Sequence, residues 1–473
     1  MSKSYTQTLA SFAAETGFKD LPQEVVEASK RLIMDTVGNT VGGSSTDLGR
    51  ISVALKRDLG GNPESTILVT GDKTSCTSAA YANAAMASAL CADEHLFKIG
   101  HMGQCAIMPA LAVAERVGAS GKDLIAAAAI GYEIAGRVGD SCMLTARDQN
   151  GQLRKSRLGM QNWNIFAAAA GASKVLGHDG TKMAHSLGIA GYSAPLPVGN
   201  WLHSPRNHTK SAFYALMAEN GTAAALLADK GFTGDSNILD GEMGWWRLAG
   251  ALDCNWDCLT RDLGGHWLVT EISFKPYPTC RYAQAPIDLL YQIMQEHHIK
   301  REEINGIDVE VVASALALHM DEAPVANEMD GELSIPYLMA MAASGMRPGP
   351  EWLAPHNYSD PRIVDLAREV KVRPNPSADQ IVSEETQRMG RARKAPAKVQ
   401  VKARGKVFQA QTDYSRGDPW TPETSWSDED LKEKFRAFSG RVLSAARIEK
   451  TLELLSKLEL QDSLSPLVSC LKK

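Results

Sequence analysis

The strongest constraint on what this chain can fold into is a run of Ala- and Gly-rich segments at helical spacing, with almost no β-branched alternation before residue 265. From Pro22 the apolar residues Val25, Val26, Ala28, Leu32, Ile33 and Val37 recur every three or four positions, and Gly38 is expected to open a turn. Similar segments follow at 78–91, 106–117, 122–138, 166–176, 181–190 and 210–230, and an amphipathic first helix is expected around Leu9 to Ala14. This first half reads as an all-helical body whose small side chains let helices approach closely. Leu124 to Ile134, apolar all round, belongs at its centre.

After about residue 268 the pattern changes. Ile307 to Val312 alternates, Val370 to Val372 is a second short strand candidate, and Val399 to Val401 with Val407 to Thr412 flank Arg404-Gly405 as a hairpin would. Helices are expected between them at 284–296 and 335–344. Asp428 to Leu458 returns to helical spacing behind a Ser427 cap. The expected fold class is therefore mainly α: a large helical domain built from both chain ends, residues 1–268 and 415–473, with a smaller α+β domain inserted at 269–414.

With 44% hydrophobic and 22% charged residues in 473, the chain can bury a large core. Fifty basic residues against fifty-five acidic ones argue against a nucleic-acid binder and leave a small molecule as the expected partner. Eight dispersed cysteines read as reduced thiols. Charges such as Glu115, Arg116, Glu133 and Arg137 interrupt every apolar stretch before the ~18 residues a membrane span requires. No membrane partner is expected, and the expected location is the cytoplasm.

Common cofactor motifs are missing. Gly118 to Asp123 looks like the end of a phosphate loop, but Arg116 stands where its first glycine belongs and Asp123 follows the lysine, so it reads as a helix-joining turn. No Gly-x-Gly-x-x-Gly follows a strand, no Cys-x-x-Cys occurs, and Asp93, His95 and His101 match no standard zinc spacing. Neither a cofactor nor a metal is expected.

Three clusters carry chemistry instead. Asp93-Glu94-His95, with Lys98 and His101-Met102-Gly103, lies in a loop between two Ala-rich helices, where helix ends can aim titratable groups at a pocket; an ordinary polar connector is the plain alternative. Lys275-Pro276-Tyr277-Pro278-Thr279-Cys280-Arg281-Tyr282 combines an extended chain with two cations and a phenol, the groups wanted for gripping a carboxylate, although Arg281 could simply bridge the two domains. Asn207-His208-Thr209-Lys210 opens an Ala-rich helix whose free N–H groups and lysine suit an anion, or leave a lysine in solvent. A basic run, Arg388, Arg391, Arg393, Lys394, Lys398, Lys402, Arg404 and Lys406, is either a solvated hairpin face or a positive rim.

In this order and spacing the chain resembles the MmgE/PrpD family. The matching stretches are Ala92-Asp93-Glu94 through His101-Met102-Gly103, Gly131 to Arg137, Lys210 with Asn220-Gly221, Lys275 to Pro278 with Cys280-Arg281, and Leu333 to Tyr337. Lys434-Phe435 before the last helix also fits. The resemblance implies a homodimer with a metal-free site between a helical domain and a lid, acting on small di- or tricarboxylates by proton transfer next to a carboxylate. By position, Asp93, His101, Lys210 and Lys275 match the family's catalytic residues, with His101 moving the proton and Asp93 orienting it. His95, Gln161, Tyr277, Arg281 and Gln284 are the substrate-binding candidates. Two family histidines are absent: no histidine occurs between His101 and His178, where Gln161 and Asn162 are the nearest polar residues, and Gln284 stands at the second position. An amide holds a substrate but does not titrate near neutral pH. The implied activity is a cofactor-independent lyase of hydro-lyase type. The alternatives are an epimerase, which needs no help for a leaving hydroxyl, and a catalytically silent metabolite-binding relative.

Overall fold

The computed structural model describes residues 4–97, 99–147, 153–156, 161–195, 206–389 and 391–473. Helices dominate it. Gln23–Gly43, Cys76–Ser88, Gly103–Val117, Gly121–Ser141, Asn164–Val175, Gly180–Tyr192 and Thr209–Asp229 pack around an Ala-rich centre. Missing side chains let these helices touch backbone to backbone. A Cβ on Gly131 would stand 2.8 Å from the Ala167 carbonyl oxygen, and one on Gly221 2.8 Å from that of Ile165.

Gly38 does not open a turn. The helix runs on to Gly43 because Gly38 faces the Phe435 ring, 2.9 Å from where its Cβ would be, so tertiary contact explains a glycine that local reading treats as punctuation. The first half is also not purely helical: short antiparallel ladders join Ser65–Thr66 to Lys73–Thr74, Cys142–Met143 to Asp253–Cys254, and Thr145–Arg147 to Leu153–Lys155. Ladders of two or three residues are too short to leave a periodic signal. The helical stretch expected at 428–458 is two helices, Asp428–Ser439 and Ala445–Ser456, separated at Gly440, and a short third, Ser465–Cys470, follows.

Four strands form one sheet in the order Lys406–Thr412, Ala397–Ala403, Ile304–Val311, Val370–Pro374. The first two make a hairpin about Arg404-Gly405, and the last two run parallel. Helices Arg281–Glu296 and Ile335–Ala343 cover the buried face carrying Val309, Val399 and Val401. The apolar interior falls into a large cluster, drawn from Leu9 to Phe274 and from Trp426 to Leu471, and a smaller one from Tyr277 to Ala403. No helix among the described residues is long and apolar enough to cross a membrane.

Candidate active site

The first candidate loop connects helices Cys76–Ser88 and Gly103–Val117. The second helix has no side-chain cap of its own at Met102. Glu94 reaches back instead: its Oε1 accepts from the backbone N–H of Met102 at 2.7 Å and of Gly103 at 2.9 Å, satisfying two of the free donors of the helix start. The loop is also bridged to the 273–275 segment by reciprocal backbone hydrogen bonds between His95 and Ser273, each 2.9 Å. That bridge brings Lys275 to Asp93.

Asp93 stands between a cation and an imidazole. Its Oδ1 is 3.5 Å from Lys275 Nζ and its Oδ2 is 3.5 Å from His101 Nδ1. Lys275 is fully buried and also donates to the Cys91 carbonyl. His101 Nδ1 lies 2.7 Å from the Glu94 carbonyl oxygen. A carbonyl only accepts, so Nδ1 carries the hydrogen and Nε2 is left with the lone pair. Burial, then the Lys275 charge, hold the His101 pKa well below its usual value, so the ring is neutral at pH 7. The His95 ring sits 4.8 Å from it, centroid to centroid, and is likewise held well down by burial and by His101. The two imidazoles cannot both be charged at that spacing.

Lys210, on the first turn of helix Thr209–Asp229, pairs with the fully buried Glu332. Its charge bears on both His101 and Asp93. Burial pushes the Glu332 carboxyl up to about 7, against the pull of Lys210. Gln161 holds the loop from the other side: its Oε1 accepts from the His101 backbone N–H at 3.0 Å and from the Tyr214 hydroxyl at 2.6 Å. Asn164 donates to the His101 carbonyl. Among the described residues no three His, Cys, Asp or Glu side chains come together as a metal ion would need.

Asp93, His95, His101, Gln161, Lys210 and Lys275 therefore converge, and three substrate-binding candidates are occupied elsewhere. The Tyr277 hydroxyl donates to Asp288 Oδ1 at 2.7 Å, its ring lies parallel to Trp352, and it lines a cavity of about 780 Å³ with Asp288, Tyr291 and Arg416 that none of the converging residues lines. Gln284 binds the carbonyls of Tyr277 at 3.1 Å and Thr279 at 3.0 Å, bracing the two-proline segment. The Arg281 guanidinium pairs with buried Asp418 at 2.5 Å and lies over the Phe97 ring, joining the smaller unit to the returning chain. Lys98 lies outside the described residues. In the basic run, Arg391 and Arg393 pair with Glu271, Lys394 with Asp413, Lys402 with Asp308 and Arg404 with Glu303.

Sequence reasoning missed Glu332, Cys91, Tyr214 and Asn164. Glu332 carried a usable signal, an acid directly before the mostly apolar stretch Leu333 to Tyr337. Cys91 looked like any small apolar residue, yet it is a non-glycine at φ +50° on the loop.

This helical body, with its buried acid, imidazole and two lysines, matches the MmgE/PrpD N-terminal domain over residues 7–252 and the MmgE/PrpD C-terminal domain over residues 277–460. The chain belongs to the MmgE/PrpD family. It is similar to cis-aconitate decarboxylase of Homo sapiens, 26% identical over 500 residues that cover 100% of this chain and 95% of that protein. The mouse enzyme of the same name is 24% identical, over 100% and 94% of the two chains. Cis-aconitate decarboxylase of Aspergillus terreus is 22% identical, over 98% and 95%.

Proposed function

We propose that this chain is a lyase acting on a small tri- or dicarboxylate by proton transfer at the carbon next to a carboxylate. The observation that carries the reading is the buried contact of one carboxylate, Asp93, with both His101 and Lys275 at 3.5 Å, beside the Lys210–Glu332 pair. Full-length likeness to cis-aconitate decarboxylases supports the substrate class. His101 acts through Nε2, the nitrogen its carbonyl contact leaves basic. Asp93, next to Nδ1, stabilises the imidazolium formed when the ring takes the proton. Lys275 and Lys210 face the negative charge that builds on the substrate carboxylate, in surroundings where water does not screen it. The smaller unit, tied to the returning chain by Arg281–Asp418, acts as the lid.

Dehydration of a hydroxy acid needs a base for the C–H and an acid for the leaving hydroxyl, whereas loss of carbon dioxide from an unsaturated acid needs one proton donor at carbon. Gln161 and Gln284 stand where relatives of the dehydratase and decarboxylase type carry histidines, so His101 beside Asp93 serves either step with fewer rings than those relatives use. The loss of rings suits an epimerase, the second reading, which removes and returns one proton and helps no leaving group. The deciding experiment incubates the purified protein with a panel of small carboxylates, cis-aconitate included, in deuterated water and follows proton NMR. Release of carbon dioxide with deuterium at carbon, or release of water with a new alkene, supports a lyase; exchange without bond cleavage supports the epimerase; no change with any acid overturns the proposal.

A further inference from the structure

Two consecutive carbonyls of the catalytic loop are held by lysines from two distant segments of the chain. Cys91, at φ +50°, is a buried non-glycine in the left-handed region, a conformation that persists only where its surroundings over-determine it. Lys275 donates to the Cys91 carbonyl. Lys434, on helix Asp428–Ser439, donates to the next one, that of Ala92, at 2.6 Å. Asn39 Nδ2 reaches the same Ala92 oxygen at 3.2 Å. Asp35 joins these two donors: Lys434 Nζ is 2.6 Å from its Oδ1, and Asn39 Nδ2 is 3.0 Å from its Oδ2. All three side chains are buried.

Packing alone does not explain this arrangement. Burial raises the Asp35 pKa and lowers that of Lys434, so both charges are held against their desolvation. Apolar replacement of such a buried pair is often neutral or stabilising. An apolar pair could not donate to the Ala92 oxygen, and the atoms that follow that carbonyl are those of Asp93. We propose that Lys434, Asp35 and Asn39 form a clamp on the Ala92 carbonyl that sets the direction of the Asp93 carboxylate toward His101 and Lys275. They are positioning residues for the reaction above, and the inference rests on that reading of the site.

The test compares steady-state kinetics of the full chain with those of three clamp variants and one site variant. Asp35→Asn with Lys434→Met removes both charges together and leaves neither unpaired. If it folds, kcat falls about 100-fold, the cost of a misplaced catalytic group, while KM stays within about twofold because no substrate contact is lost. Lys434→Arg, which keeps a donor, restores most of kcat. Should the double variant fail to fold, Asn39→Ala withdraws one neutral donor from Ala92, and kcat falls about tenfold at unchanged KM. Asp93→Asn separates the two levels of the argument: if it retains full turnover, the reading of the site is wrong. If it is inactive while the folded clamp variants keep wild-type kcat, or change KM alone, the site stands and the clamp is refuted.

Discussion

Glu94→Gln isolates one buried carboxyl without disturbing the loop it supports. Glu94 is fully buried, and its Oε1 accepts from Met102 and Gly103. Burial, with repulsion from Asp93, pushes its pKa from the usual 4.5 up to about 8, against the two backbone donors. Between those values the native protein keeps a proton that the unfolded chain has released. Stability therefore falls as pH rises through the window and levels off above about 8. From pH 5 to about 8, at ~1.4 kcal/mol per pH unit, the loss is about 4 kcal/mol. Glutamine keeps the accepting oxygen and does not titrate. Urea unfolding at pH 5 and pH 9 should show the wild type losing about 4 kcal/mol more than Glu94→Gln. Glu332 and Asp288, raised by burial to about 7 and about 6, titrate in both proteins and cancel in the comparison. Equal losses would mean that Glu94 is ionised throughout, and the argument from its burial would fail.

His101→Gln should abolish turnover and leave ligand binding nearly intact, read by initial rates and by ligand-induced thermal shift; retained turnover would remove the ring from the mechanism. Arg281→Met leaves Asp418 buried without its cation, a loss expected to cost about 3–5 kcal/mol, and thermal denaturation should show it plainly. An unchanged melting temperature would mean the pair holds nothing together. Gly121→Ala drives a methyl group into the Leu458 carbonyl and should cost about 1–3 kcal/mol; a variant as stable as wild type would refute the close packing of the chain end on that helix.

Long, strongly periodic elements were legible because local spacing alone specifies them. The helices at 103–117, 121–141 and 209–229 and the 397–412 hairpin follow directly from apolar recurrence and turn residues. A local signal is less legible where a distant partner bears on it. Gly38 looked like a helix end and is instead a seat for Phe435, nearly four hundred residues away. Tyr277 and Gln284 stood in a motif rich in substrate-binding residue types, yet their polar atoms are spent on Asp288 and on the neighbouring backbone. No spacing rule says which way a side chain on an extended segment faces.

The amino-acid order by itself determined that this chain would be mainly helical and that acid, imidazole and lysine would be carried on three separate segments. Helical and strand periods are local properties, and residue types are read directly. Only the tertiary structure decided which of those groups meet. Asp93 touches Lys275 because a backbone bridge to Ser273 draws together segments about 180 residues apart along the chain. The loop keeps its course because donors from the start, the middle and the end of the chain converge on two adjacent carbonyls. Contacts between groups so far apart in sequence leave no period to read, since they depend on the simultaneous packing of every helix between them.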